Sequence, residues 1–362
     1  MLETVRNHRR ALHRIPEIAF DLPETLAYVK QALAPLSCEV TFPAQSAVCA
    51  YFHAGTETTL ALRADMDALP IQEVSDAPYR STHEGKMHAC GHDAHTAMLL
   101  TLAQELDRNP PRRNVLLIFQ PAEEATGGAK PICESGVFEK YHVDSILALH
   151  VFPGGKMGEI KTLPGPAMAG SVRLNIEING KSAHASRFRE GHDALEAGAR
   201  FVLGSYEIAD RYEDEQEFVL RYGKMTSGTV VNAVSAHTLM EGGLRYFTVE
   251  CREMLLDELR ALEKRVEEQT GCTFNNEYRL GYPPVVNDEA LCVKLQEKLG
   301  IGLDGPKQRG SEDFAFYQKL VPGVMLNLST GREAVLHGCD FDLDEECLVY
   351  GVQFFLDAIA KL

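Results

Sequence analysis

The sequence has no uninterrupted apolar run long enough to span a bilayer, and its first residues lack the apolar core of a signal peptide. It also lacks a positive charge balance, since 36 lysines and arginines stand against 52 aspartates and glutamates, a formal net charge of −16. That balance argues against a nucleic-acid-binding surface. The nine cysteines are odd in number and form no regular framework, which favours reduced thiols over disulfides. We therefore expect a cytoplasmic protein without a membrane or nucleic-acid partner.

The length and the order of predicted elements indicate two domains. A chain of 362 residues exceeds the size at which a single core stops growing. Amphipathic patterns predict helices over residues 4–12 and 22–36, and apolar runs predict strands over residues 47–53, 59–63, 114–120 and 144–149. Strands that alternate with helices predict an open, mostly parallel α/β sheet.

A second kind of pattern begins near residue 171, where apolar and polar residues alternate as in a half-exposed strand. Its elements follow the order βαββαβ, which predicts an inserted ferredoxin-like α+β domain. We expect a first catalytic part over residues 1–168, the insertion over residues 169–283 and a second catalytic part over residues 284–362. Both termini then lie on the larger domain.

The stretch richest in potential metal-binding side chains is residues 87–95, MHACGHDAH. It contains His88, Cys90, His92 and His95. If residues 88–92 are extended, His88, Cys90 and His92 project from one face and could share a metal ion. A helix is predicted from Asp93, and its dipole would favour a thiolate at Cys90. The alternative interpretation is a helix start with a buried cysteine and surface histidines.

Other polar side chains follow the predicted strands where the apolar runs end: Asp67, Glu123, Glu124 and His150. Ligands of open α/β sheets bind outside the carboxyl ends of the strands. These four residues and Cys90 are therefore predicted to converge, although they are far apart in sequence.

Eight stretches carry a resemblance to a known family: residues 12–17 (LHRIPE), 63–70 (RADMDALP), 87–95, 119–124 (FQPAEE), 149–151 (LHV), 180–186 (GKSAHAS), 310–314 (GSEDF) and 336–337 (LH). Together they resemble the metal-dependent aminoacylase and carboxypeptidase family, in its branch of N-acyl-amino-acid amidohydrolases. The matching stretches span nearly the whole chain in the order found in that family.

The resemblance implies a site with two divalent metal ions bridged by the Cys90 thiolate. His92 and His150 would complete the protein ligands of one ion, and Glu124 and His337 those of the other. One thiolate, three imidazoles and one carboxylate suit zinc, with nickel, cobalt or manganese as alternatives. Neighbouring side chains of an extended segment point apart, so Glu124 can bind metal while Glu123 acts as general base.

The resemblance also implies supporting and substrate-binding residues. Asp67 is assigned to the catalytic machinery, where it, His88 and His95 would orient the ligands. His184, Asn232 and Arg245 of the inserted domain would bind the substrate, and arginine suits a planar carboxylate. The family also implies a homodimer formed through the inserted domain, in which His184 can act in its own subunit or in the partner's.

The implied reaction is hydrolysis of an N-acyl amino acid, and the motifs look closest to those of N-acetyldiaminopimelate deacetylases. Alternative substrates are hippurate, which needs an apolar pocket for its aromatic acyl group, or a broad set of N-acyl amino acids. Two other functions remain: a non-catalytic metal-binding relative, and a redox or metal-storage protein. The complete ligand set with Glu123 argues against the first, and the absence of a Cys-x-x-Cys pair at Cys90 argues against the second.

Overall fold

The computed structural model describes residues 1–212 and 216–362. These residues form two compact units. Unit 1 comprises Met1–Ala167, Val285–Lys307 and Asp313–Leu362, and unit 2 comprises Met168–Pro284 and Gln308–Glu312. The sequence did not indicate that the short segment Gln308–Glu312 groups with unit 2. Among the described helices, none combines the length and apolar character needed to cross a membrane.

The strands are, in chain order, β1 (Glu39–Thr41), β2 (Val48–Phe52), β3 (Thr59–Asp65), β4 (Asn114–Gln120), β5 (Val143–Phe152), β6 (Ile160–Lys161), β7 (Gly165–Met168), β8 (Gly170–Asn179), β9 (Phe218–Ser227), β10 (His237–Tyr246), β11 (Thr273–Phe274), β12 (Glu277–Leu280), β13 (Val285–Asn287) and β14 (Gly323–Ser329). The α-helices are α1 (Leu2–His13), α2 (Pro23–Leu33), α3 (His92–Arg108), α4 (Ala129–Glu134), α5 (Val137–Lys140), α6 (Ala194–Tyr212), α7 (Val249–Thr270), α8 (Glu289–Leu299) and α9 (Cys347–Lys361). Two 3₁₀ helices cover Ala185–Glu190 and Asp313–Lys319.

Unit 1 is built on a seven-stranded sheet in the order β1-β2-β4-β3-β5-β14-β6. The four central strands, β4, β3, β5 and β14, are parallel, and the antiparallel pairings lie toward the two edges. The predicted α/β class with a mostly parallel sheet is confirmed. Four adjacent parallel strands end at the same edge, so the loops that follow them are brought together.

The central strands are buried because their sequences are apolar on both faces. Every residue of β3 and β4 is buried, as expected for parallel strands covered by helices on both sides. Helix α3 is also buried along most of its length and belongs to the same hydrophobic core as α1, α9 and the sheet. The start of α3 is therefore held by packing on several sides, which matters because His92 is its first residue.

Unit 2 has its own hydrophobic core and an antiparallel sheet in the order β11-β8-β10-β9, with β12 also paired to β8. Helices α6 and α7 follow β8 and β10, which gives the βαββαβ order. The predicted ferredoxin-like insertion is thus confirmed. The last strand of the motif is split into β11 and β12, which pair with β8 in one continuous register. Strand β9 lies at one edge of this sheet.

Candidate metal centre

The carboxyl edge of the parallel sheet carries the residues that the sequence singled out. Asp67 follows β3, Glu123 and Glu124 follow β4, and His150 lies near the end of β5. His337 follows β14, Cys90 lies in the connection between β3 and α3, and His92 is the first residue of α3. Because β4, β3, β5 and β14 are neighbours in the sheet, residues up to 270 positions apart reach one location.

Two triads of metal-binding side chains form here. The ligand atoms of Cys90, His92 and His150 lie within 4.8 Å of one another, and so do those of Cys90, Glu124 and His337. The two triads share the sulfur of Cys90. This is the division that the resemblance implied. Other sets of acidic and histidine side chains in the described residues, such as Asp65, His92 and His95, meet the same distance limit.

The hydrogen bonds of His92 and His150 leave one nitrogen of each ring available. His92 Nδ1 donates to the carbonyl of Asp67 at 2.9 Å, and its buried Nε2 has no hydrogen-bond partner among the described residues. His150 Nδ1 donates to the carbonyl of Val151 at 2.7 Å, and its Nε2 lies 3.5 Å from Cys90 Sγ. In both rings Nδ1 is bound to a backbone carbonyl, so Nε2 is the atom left to serve as a ligand. Burial lowers the pKa of His150 to about 3, which keeps the imidazole neutral, as a metal ligand must be.

Cys90 is a buried thiol whose surroundings require a cation to ionise it. The dipole at the start of α3 favours the thiolate. Burial outweighs that effect and raises the pKa of Cys90 to about 12. Divalent cations deprotonate a coordinating thiol directly. The shared cysteine, the orphaned His92 Nε2 and the neutral His150 therefore fit a metal centre.

The segment after β4 delivers two adjacent carboxylates. The Glu123 N–H donates to Asp67 Oδ1 at 2.9 Å, and the Glu124 N–H donates to Asp67 Oδ2 at 3.1 Å. The preceding residue, Ala122, is buried and has a left-handed φ of 58°. Asp67 thus fixes the backbone of both glutamates through its side chain while its carbonyl fixes the ring of His92.

His337 reaches the site from a turn in unit 1. Its φ of 64° is in the left-handed region, which residues other than glycine adopt rarely. Its N–H donates to the carbonyl of Ala89 at 2.8 Å, beside Cys90. Its Nε2 lies 3.1 Å from Glu124 Oε1. The backbone of this turn is therefore attached directly to the segment that carries Cys90.

His95 supports the site but is not available to a metal ion. Its Nδ1 donates to Asp65 Oδ1 at 2.6 Å, and its Nε2 accepts from the Val151 N–H at 2.9 Å. Both nitrogens are thereby used, although Asp65, His92 and His95 lie close enough together to resemble a third ligand set. The expectation that His95 orients a ligand is in keeping with these bonds, since Val151 follows His150.

The prediction for His88 was wrong in its geometry. Residues 88–92 do not form an extended strand: Gly91 has a φ of 86°, and α3 starts at His92. A Cβ at Gly91 would come within 2.3 Å of Val151 Cγ2, so only glycine fits this turn. Cys90 and His92 meet because of the turn. His88 is buried apart from them, and neither of its ring nitrogens has a hydrogen-bond partner among the described residues.

A buried network beneath the site was not predicted from the sequence. Arg63 in β3 donates to Asp65 Oδ2 at 2.6 Å, to Asp313 Oδ1 at 3.0 Å and to Gln120 Oε1 at 2.9 Å. Asp313 also accepts from the Ala129 N–H at 2.9 Å. The network fixes Asp65, the acceptor of His95, and ties the start of α4 to β3. Charged residues inside the apolar run of β3 were the signal that could have revealed it.

In unit 2 the three predicted substrate-binding residues lie in two places. His184 is exposed and caps a 3₁₀ helix, with Nδ1 2.8 Å from Ser186 Oγ. Asn232 lies beside it, because the Ala185 N–H donates to the Asn232 carbonyl at 2.9 Å. Arg245 is near the far end of β10 and donates to Ser311 Oγ. Strand geometry puts the eight residue steps of β10 from His237 to Arg245 across roughly 26 Å.

The nine cysteines, all within the described residues, are free.

Comparison with known proteins gives the same assignment as the motifs. Residues 61–361 match the sequence model of peptidase family M20/M25/M40. An N-acetyldiaminopimelate deacetylase of Anoxybacillus flavithermus is 35% identical over 96% of this chain and 94% of that protein. An N-acetyl-L-cysteine deacetylase of Bacillus subtilis is 32% identical over 98% of this chain and 87% of that protein.

A solved structure also matches throughout. It is a Bacillus subtilis protein described as a dinuclear metal binding peptidase from the M20 family, with a TM-score of 0.87 and 30% identity. The match covers 99% of this chain and 97% of the other. The family resemblance carried by the motifs is thus confirmed. These matches in sequence and structure, each over most of the chain, show that it is an enzyme of peptidase family M20/M25/M40.

Proposed function

We propose that the chain is a dinuclear metal-dependent amidohydrolase that cleaves the amide bond of an N-acyl amino acid. The observation that carries the proposal is the pair of ligand triads that share Cys90. A sulfur common to both triads is suited to bridge two ions. His92 and His150 would complete one set of protein ligands, and Glu124 and His337 the other.

The two divalent ions would supply Lewis acidity, which polarises the scissile carbonyl and lowers the pKa of water. The chain's own residues provide orientation and proton transfer. Glu123 places a carboxylate oxygen within 4.8 Å of the ligand atoms of His92 and Glu124. As general base it takes a proton from the attacking water and then gives it to the nitrogen of the leaving amine. Asp67 positions Glu123 through its backbone N–H.

Substrate binding is assigned to His184, Asn232 and Arg245. Arg245 would bind the free carboxylate of the substrate, and His184 with Asn232 would donate to its polar groups. Roughly 26 Å of strand separates Arg245 from the end of β10 near His184 and Asn232. An N-acyl amino acid is shorter than that. We therefore propose that the two places act on one bound substrate from two copies of the chain.

We propose a homodimer through unit 2. This separation supports it, as does the edge strand β9, which needs a partner or other cover to avoid uncontrolled pairing. We expect light scattering to give the mass of a dimer at working concentrations. A monomer mass would contradict the dimer and remove the case for His184 acting across subunits.

An intersubunit complementation experiment tests that case directly. Chains carrying Glu123→Gln and chains carrying His184→Ala are each expected to be inactive as homodimers. In a mixed dimer, one site combines the intact Glu123 of one chain with the intact His184 of the other. Equal co-expression should then restore about a quarter of wild-type activity, since half of the dimers are mixed and half of their sites are complete. No recovery would show that His184 acts within its own subunit.

We further propose N-acetyldiaminopimelate as the substrate, which places the reaction in lysine synthesis. The support is the set of motifs, and relatives at 32–35% identity that carry the name N-acetyldiaminopimelate deacetylase. A relative at 32% identity named for N-acetyl-L-cysteine shows that identity of this size does not fix the acyl amino acid. A product with an additional ammonium and carboxylate needs polar contacts, whereas hippurate needs an apolar pocket.

The test is a comparison of kcat/KM for N-acetyldiaminopimelate, N-acetylmethionine, N-acetylcysteine and hippurate on one metal-reconstituted sample. We expect the highest value for N-acetyldiaminopimelate. A preference for another substrate would overturn the substrate assignment and leave the amidohydrolase proposal intact. Failure to hydrolyse any of them would contradict both.

A further inference from the structure

Arg9 of helix α1 is a fully buried arginine that contacts carboxylates from separate parts of unit 1. Its Nε donates to Asp93 Oδ2 at 2.9 Å, its Nη2 donates to Asp342 Oδ1 at 2.9 Å, and Nη1 lies 3.5 Å from Glu345 Oε1. Burial disfavours its charge, but Asp93 and Asp342 together raise the pKa of Arg9 above its ordinary value. A planar guanidinium can bind several carboxylates in fixed directions, which a lysine ammonium does not do.

The first of these carboxylates belongs to the segment that carries His92. Asp93 is the next residue and lies in the first turn of α3. Its Oδ2 also accepts from His13 Nδ1 at 2.7 Å, and His13 Nε2 lies 3.4 Å from Glu73 Oε1. Two residues of α1 therefore fix the side chain of Asp93, and with it the start of the helix that presents His92.

The second carboxylate belongs to the segment that carries His337. Asp342 is five residues further on, and the chain between them is turned, with the Phe341 N–H donating to the Gly338 carbonyl at 3.2 Å. Phe341 is buried in the core of unit 1. Asp342 also accepts from Tyr79 Oη at 3.0 Å. The far end of the His337 turn is therefore attached to Arg9.

We infer that Arg9 is a positioning residue that fixes the two ligand triads relative to each other, because one guanidinium holds the segments that carry His92 and His337. The inference rests on the proposed metal centre and extends it to the first helix of the chain. A purely structural role would lower thermal stability alone. A positioning role must also change how metal ions bind to the folded protein.

The experiment compares Arg9→Lys with wild type and with Arg10→Lys. Arg10 is the next residue of α1, has a side chain 41% exposed and pairs with Glu345, so it is a matched control. Metal-free samples are titrated with Co²⁺, and the thiolate-to-cobalt charge-transfer band and the d–d bands are recorded. We expect Arg9→Lys to weaken binding of the second equivalent by about ten- to a hundred-fold and to alter the d–d bands, while Arg10→Lys behaves as wild type. Wild-type affinities and spectra in Arg9→Lys would overturn the inference, however far its melting temperature falls.

A second variant, Asp342→Asn, changes the contact of Arg9 with the His337 segment alone. It tests the inference if Arg9→Lys does not fold. It weakens the connection to the His337 segment and leaves Asp93 in place. We expect loss of affinity for one equivalent of Co²⁺ only, with the charge-transfer band of the other retained. Loss of both equivalents, or of neither, contradicts the inference. If wild type itself binds no Co²⁺, the proposed metal centre is wrong and the inference falls with it.

Discussion

Replacing Glu123 with glutamine is expected to lower kcat by about a hundred- to ten-thousand-fold, the usual contribution of a general base. The amide has nearly the same shape as the carboxylate but cannot accept the proton from water. The backbone N–H of residue 123 still donates to Asp67, so the segment that carries Glu124 keeps its place. Both metal ions should therefore remain bound, and metal analysis beside a rate measurement checks this.

A matched control is Glu134→Gln in α4, whose side chain is 65% exposed and lies 3.7 Å from Lys130. It removes a carboxylate from the chain segment that follows β4 without touching either triad, and its kcat should equal that of wild type. Turnover close to wild type in Glu123→Gln would show that another group is the base. Loss of metal in that variant would instead assign Glu123 to the ligands.

Replacing Cys90 with alanine is expected to lower the metal content below two ions per chain and to abolish most activity. The sulfur belongs to both triads, so the variant removes one ligand from each ion. Tighter metal binding makes the folded protein more stable, because an ion that binds only the folded state raises the free energy of unfolding. We therefore expect added Zn²⁺ to raise the melting temperature less in Cys90→Ala than in wild type.

The control for this experiment is Cys339→Ala. Cys339 is an exposed thiol two residues after His337, and it lies outside both triads. Its loss should leave metal content and the response to Zn²⁺ unchanged. Full metal occupancy in Cys90→Ala, measured by elemental analysis, would contradict a bridging role for the sulfur.

The parts of the site that the sequence predicted are those that follow from short patterns. Apolar runs predicted β3, β4 and β5, and the rule for parallel sheets predicted that the residues after them converge. The tight turn before α3 was missed, because an extended segment was assumed at a position where Gly91 is left-handed. That left-handed angle interrupts the extended segment between Cys90 and His92. No periodic pattern of apolar and polar residues indicates this turn.

The supporting networks could not be predicted because their members are far apart in the chain. Arg63 and Asp313 are 250 residues apart, and Arg9 and Asp342 are 333 apart. Their signal in the sequence is only a charged residue in a buried element. The apolar character of β3 made Arg63 and Asp65 unusual, but the identity of their partners depends on how β4, α4 and the 3₁₀ helix at Asp313–Lys319 pack together.

The left-handed backbone at Ala122 and His337 has a consequence for attempts to make this enzyme more heat-resistant. A non-glycine residue held in such a conformation costs on the order of 1–3 kcal/mol, out of a total of about 5–15 kcal/mol for a typical protein. Glycine would relieve that cost at either position. Glycine at position 337 would also remove the His337 side chain. Glycine at position 122 would make the backbone before Glu123 more flexible. A directed-evolution library ranked by melting temperature alone would thus favour glycine at these two positions and lose activity. A screen that also measures turnover would keep the native residues.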